Sequence, residues 1–257
     1  MKTDRAELTE TVEENNSKKQ TGLYFLLPVR SVLFLSVFLI GSSVTGKALK
    51  DISNWWTIVA TIINLFTILL LILLARRTGQ TYSELINYKK GNTKVRQVII
   101  ISLIVLTIGA GGMYLAGLIC YGVFPYAPPM MIEPIPKILA ILNFLPLPVT
   151  SALAEDGLYL GCGVNQIKNK YVSIIVPAFF YALQHCFIPT LFDGRYIIYR
   201  FLSFLPLAII LCWYYQKKRN PLPIMIGHAL IDMMTVIWVL ATSLSPEYYE
   251  MMLKLAQ

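Results

Sequence analysis

Only two histidines occur in the 257 residues, His185 and His228, and both lie deep in apolar stretches long enough to cross a bilayer. A third apolar stretch carries an adjacent acidic pair, Glu155 and Asp156. An ionisable side chain in hydrocarbon is costly unless it is paired or faces a cavity. Three such intrusions in three stretches point to a polar site inside the membrane, built from general acid and base groups. His228 and Asp232 are four residues apart, so a helix stacks them one turn apart on one face. Asp232 can then hold the imidazole in one tautomer, or act beside it on a substrate. Tyr181 and His185 repeat that spacing. A carboxylate in such a site can accept a proton from water, and an imidazole can donate to a developing oxyanion. Zinc is the rival chemistry, with Glu155, His185 and His228 as ligands and Asp232 beside them. No HExxH segment supports it.

The elements that must position these groups follow from composition. Hydrophobic residues make up 56% of the chain and charged residues 14%, against about 25% charged in soluble domains. The charges cluster between long apolar runs, which predicts an all-α, polytopic transmembrane bundle with a polar cavity within the membrane. A spanning helix needs roughly 20 apolar residues. The segments that qualify are 23–43, 55–75, 97–120, 137–163, 171–192, 197–215 and 221–244, so about seven spans are expected, or eight. Pro146 and Pro148 predict a kink just before Glu155, and the proline-rich 121–136 reads as a loop or re-entrant segment. Residues 1–22 read as a polar cytosolic tail, too long and acidic for the start of a cleaved leader. Residues 23–257 form one bundle, with the chemistry at about 140–240. The four cysteines lack CxxC or metal-ligand spacing and read as packing residues.

Lysine and arginine set the orientation. The tail and the 76–96, 164–170 and 216–220 loops hold fifteen of them; the alternate loops hold five, with Arg200 as a further candidate. The positive-inside rule then puts the N-terminus in the cytosol and the C-terminus outside, in a cell membrane. The net charge of +8 is read as this topology signal rather than a nucleic-acid patch. Arg30, near the start of the first span, is expected to snorkel to the interface, and Trp55, Trp56 and Trp238 to sit in the outer aromatic belt. At 1.5 Å per residue Glu155 lies ~12 Å and His228 ~10 Å from the inner ends of their spans, whereas His185 lies ~21 Å in. The last value conflicts with the other two.

The three islands resemble those of the CPBP intramembrane proteases, also called the CAAX protease or Abi family. That family shows Glu-Glu-x-x-x-Arg, then Phe-x-x-x-His, then His-x-x-x-Asn or Asp, on separate helices. This chain reads Glu155-Asp156-Gly157-Leu158-Tyr159-Leu160, then Tyr181-Ala182-Leu183-Gln184-His185, then His228-Ala229-Leu230-Ile231-Asp232. The resemblance implies a helical bundle with a cavity open to the cytosolic side. It implies that Glu155 and His185 activate water while His228 and Asp232 stabilise the oxyanion, with Asp156 as the second acid. It also implies a peptide or protein substrate at the membrane, no cofactor, and a role in peptide processing or bacteriocin self-immunity, with a bacteriocin or its membrane receptor as partner. Tyr181 for Phe is a mild departure. Leu160 for Arg removes the cation that would compensate the acidic pair, which keeps a non-catalytic immunity or receptor-binding protein on the same scaffold as an alternative. A proton-coupled transporter is a third reading, with no internal repeat to support it.

Overall fold

A computed structural model describes residues 23–126 and 128–255, so the expected tail over 1–22 lies outside the described residues. Among the described residues the chain is helical, without a β-strand. Five helical segments are long and apolar enough to cross a membrane. Their main helices are α1 (Val29–Thr45), α2 (Trp56–Arg77), α3 (Val95–Tyr121), α7 (Gly194–Lys218) and α8 (Leu222–Leu244). Between α3 and α7 lie α4 (Lys137–Asn143), α5 (Pro146–Ser151) and α6 (Val172–His185). A short α9 (Pro246–Leu255) ends the described chain. This is a multi-pass membrane protein.

The expected fourth span is broken. α4 and the following helix meet at 44° across the break before Pro146, where the prolines remove backbone donors. Beyond Ser151 the chain winds as a π-helix, Ala152–Val164. Its i→i+5 bonding widens each turn, a device found mostly at functional sites. Glu155 and Asp156 both lie in it and are both buried, because the helix is central and nearly all of Ala152–Val164 is buried. The expected fifth span, 171–192, is shorter than the reading: α6 has 14 residues and stops at His185. At ~1.5 Å per residue the helix is ~21 Å long, short of a full span, and the non-helical residues 186–193 carry the chain on to the opposite end, where α7 begins. His185 is the last residue of α6, still ~20 Å from the helix start, so the depth difference in helix length stands although the His185 and Glu155 side chains meet at 3.7 Å.

The two ends of the bundle differ. On the side of the basic 76–96 loop, a capping box at Thr81 and Glu84 starts a one-turn helix, Tyr82–Leu85, that tucks under the core. The Tyr82 hydroxyl donates to the Leu153 carbonyl at 2.5 Å and the Tyr215 hydroxyl to the Ile86 carbonyl at 2.9 Å. Asn165 donates to the Leu85 carbonyl at 2.8 Å. These bonds, with buried Leu85, Leu158 and Leu160, plug that end. At the opposite end the loop after α3 folds over the helices and buries Tyr126, Met131 and Ile132. Two glycines fix α3 against its neighbours. A Cβ at Gly109 would lie 2.1 Å from the Ile231 side chain of α8, and one at Gly112 would lie 2.5 Å from the Ser203 carbonyl of α7. Both contacts are closer than any side chain permits, so α3 wedges between α7 and α8.

Candidate active site

Arg30 does not snorkel. It is fully buried, and its Nη2 donates to Glu155 Oε1 at 2.9 Å and to Asn64 Oδ1 at 2.8 Å. Nη1 donates to Thr67 Oγ1 at 3.1 Å and Nε to Gln184 Oε1 at 2.5 Å. The guanidinium thus joins α1, α2, α6 and the π-helix. A buried charge needs such a full set of partners to offset its desolvation. The sequence leaves the acidic pair without a cation because Leu160 stands where an arginine is expected; the fold supplies one from α1 instead. Leu160 itself is fully buried in the apolar core. The Gln184 amide accepts from Arg30 on its oxygen and donates to Glu155 Oε2 at 2.7 Å through its nitrogen. Glu155 is therefore held on both oxygens.

The same Oε2 faces both histidines. His185 Nε2 is 3.7 Å away and His228 Nε2 is 3.8 Å away. Two hydrogen bonds of about 2.8 Å span more than that, so a water can touch the carboxylate and an imidazole together. His185 is set in place by an aromatic stack on Phe204, with ring centres 3.6 Å apart and planes within 9°. On the far side of His228, Nδ1 is 3.4 Å from Asp156 Oδ2 and 3.0 Å from the Tyr181 hydroxyl, which donates to Asp156 Oδ1 at 3.0 Å. The partner on Nδ1, which can fix the tautomer, is thus the Asp156–Tyr181 pair. Asp232 instead approaches the Nε2 edge at 3.7 Å, with its side chain 27% exposed. Of the two roles open to Asp232, the geometry fits acting beside the imidazole. All five expected side chains, Glu155, Asp156, His185, His228 and Asp232, thus lie in one cluster drawn from three helices.

Sequence reasoning missed Gln184 and Asn64, expected Arg30 at the interface, and counted Arg200 only as a further loop candidate although the expected span 197–215 contains it. Arg200 is buried on α7, with its Nε donating to the His185 carbonyl at 3.0 Å. One signal could have found both arginines. Each carries a phenylalanine four residues on, and its guanidinium lies over that ring, at 5.5 Å for Arg30 and Phe34 and 4.7 Å for Arg200 and Phe204.

A cavity of about 160 Å³ adjoins the cluster. Glu155, His185 and Asp232 line one end of it, and Trp56, Tyr126, Met131 and Trp238 lie towards the other. It leaves the site towards the end of the bundle away from the basic loops, whereas the resemblance implies an opening on their side. The plug at Tyr82–Leu85 is the physical reason. Trp56, expected in the lipid belt, is buried and lines this cavity.

Residues 137–234 match the family model of the Rce1-like type II CAAX prenyl endopeptidases. The match covers 98 of the 257 residues and makes this stretch similar to that family. The match starts with α4 and ends two residues past Asp232, so the matched segment contains every motif residue while Arg30 lies outside it. No curated protein and no solved structure matches the chain. Among the described residues, no group of three or more His, Cys, Asp or Glu side chains is arranged to hold a metal ion. The zinc reading also meets Arg30 and Gln184 already on the Glu155 oxygens.

Proposed function

We propose that the chain hydrolyses a peptide bond inside the membrane, with Glu155 as general base and His185 sharing the attacking water. His228 and Asp232 stabilise the oxyanion, and Asp156 with Tyr181 orients His228. The observation that carries this reading is the asymmetry of Glu155: Oε1 is tied to a buried guanidinium while Oε2 faces both imidazoles and adjoins the cavity. A general base contributes typically ~10²–10⁴-fold. The binding-only alternative rests on an acidic pair without a cation, and the Arg30–Glu155 ion pair supports the catalytic reading against it. Orientation completes the proposal. The basic loops face the cytosol and the C-terminus lies outside, so the site sits in the inner half of the membrane. The biological role fits peptide processing or bacteriocin self-immunity, with an apolar peptide as substrate.

The test pairs cleavage with protection. Cells carrying wild type, Glu155→Gln or His185→Ala at matched expression are challenged with the cognate peptide, and membranes are assayed for its fragments. The proposal expects both variants to lose protection and cleavage together. Full protection by both variants would leave a binding scaffold and overturn proteolysis.

A further inference from the structure

A second cavity, of about 550 Å³, opens at the end of the bundle that carries the basic loops, and it shares no lining residue with the first. Its wall is polar, with Leu85 the one apolar residue lining it. Lys89 comes from the 76–96 loop, and Lys218 and Arg219 come from the end of α7. Glu84 is the one acid in the wall, and its Oε2 already accepts from the Thr81 amide at 2.6 Å and the Thr81 hydroxyl at 2.9 Å. Three cations thus face one carboxylate. A helix C-terminus attracts cations through its dipole alone, which accounts for Lys217 and Lys218 in the last turn of α7. It does not account for Lys89, or for how Arg219 is held. Arg219 follows α7 in left-handed backbone at φ 49°, a position that glycine usually fills. Its Nη1 donates to Asn165 Oδ1, and its guanidinium lies 5.9 Å from the Tyr215 ring centre. Asn165 is itself fixed, donating to the Leu85 carbonyl at 2.8 Å and to the Tyr215 hydroxyl at 2.7 Å. The amide that positions the guanidinium is neutral and does not offset its charge. Gln166 also lines the cleft, and its Oε1 is buried without a hydrogen-bond partner among the described residues. Such an acceptor calls for a donor.

We propose that this cleft binds a phosphate group with a hydroxyl beside it, as an anionic lipid headgroup carries, with Arg219, Lys89 and Lys218 on the phosphate and Gln166 accepting from the hydroxyl. The proposal stands apart from the peptide-hydrolase reading and uses none of its residues. An arginine offers paired N–H donors to phosphate oxygens, and a lysine adds a point charge. Basic pockets between helix ends are where such headgroups bind. A phosphate compound in water has the same chemistry, but the level of the cleft favours a lipid. Trp213 is 46% exposed on α7, and Arg219 follows it by about 9 Å along the axis at ~1.5 Å per residue. The Lys217 ammonium lies 4.1 Å from the Trp213 ring centre. An exposed tryptophan topped by a lysine marks the boundary between hydrocarbon and water. The cleft just beyond it is at the level of the headgroups.

Binding is measured on the purified full chain in detergent by native mass spectrometry, titrating phosphatidylglycerol, phosphatidylmethanol and phosphatidylcholine of one acyl composition. The first two carry the same charge and differ in headgroup hydroxyls; the third has no net charge and no hydroxyl. A hydrogen-bonded charge contact is worth about 10- to 100-fold in affinity, and a neutral hydrogen bond roughly 2- to 10-fold. The proposal expects wild type to prefer phosphatidylglycerol over phosphatidylcholine by the larger factor and over phosphatidylmethanol by the smaller. Arg219→Gln combined with Lys89→Gln and Lys218→Gln should abolish the first preference, and Gln166→Leu the second. Lys47→Gln/Lys50→Gln, at the opposite end of the bundle, should change neither. Because each ratio is taken within one protein, a fraction of misfolded variant does not change it. Glycerol phosphate, added as a soluble competitor, tells the two sources apart. Lipid that stays bound at equal competitor concentration supports the headgroup; lipid displaced there keeps the phosphate site and overturns its assignment to a lipid. Equal binding of phosphatidylglycerol and phosphatidylcholine by wild type, or a preference that persists in the triple variant, overturns the site.

Discussion

Replacing Arg30 with glutamine should damage the protein more than any other single change on α1. The Arg30–Glu155 pair has side chains 0% and 5% exposed. Removing one partner of a buried pair leaves an uncompensated charge, at a cost of about 3–5 kcal/mol. Asn64, Thr67 and Gln184 lose a donor as well. If half of that cost falls on Glu155 in its reactive position, activity drops roughly 10- to 60-fold, at about 1.4 kcal/mol per decade. The discriminating experiment is a double-mutant cycle. Glu155→Gln leaves a buried guanidinium unpaired, so it too destabilises. In Arg30→Gln/Glu155→Gln both charges are gone and two amides can bond across the gap, so the double variant should be more heat-resistant than Arg30→Gln. The assay is the folded fraction surviving a heating series, by size-exclusion chromatography in detergent. Losses that simply add, or full activity in Arg30→Gln, would refute the reasoning, since coupled neighbours do not add.

Three further outcomes follow from the same geometry. Leu160→Arg buries a second guanidinium in the apolar core, so the yield of folded protein should fall; a rise in activity would show that the Arg30 pair is not sufficient. Tyr181→Phe removes the hydroxyl shared by Asp156 and His228 and should cost about 1–3 kcal/mol of stability, read as earlier loss of fold in the same heating series; an unchanged profile would mean that the hydroxyl is not what holds the pair. A phosphatase fusion at Gln257 should be active outside the cell, as the Lys and Arg distribution predicts; a fusion active only when cytosolic would reverse the orientation.

The helices and the cluster were legible for a simple reason. Apolar runs of span length and ionisable intrusions in them are local signals, and His228 with Asp232 needed only helical spacing. What was hidden depends on tertiary contact. Arg30 reads as an interfacial residue because its partners, Glu155, Asn64 and Gln184, are up to 154 positions away. The π-helix Ala152–Val164, which carries Glu155 and Asp156, has no local residue signature. α6 was read too long because Cys186, Phe187 and Ile188 continue its apolar run past the end of the helix. The direction of the cavity follows from the Tyr82–Leu85 plug, whose bonds join the 76–96 loop to the π-helix, Asn165 and α7.

The central claim is that Glu155 drives hydrolysis of a peptide bond. It is tested most directly by the purified protein in lipid vesicles, incubated with a library of apolar fluorogenic peptides beside Glu155→Gln at equal folded concentration. The account predicts cleavage by wild type and a loss of at least ~10²-fold in Glu155→Gln. Equal cleavage rates in the two proteins would contradict it.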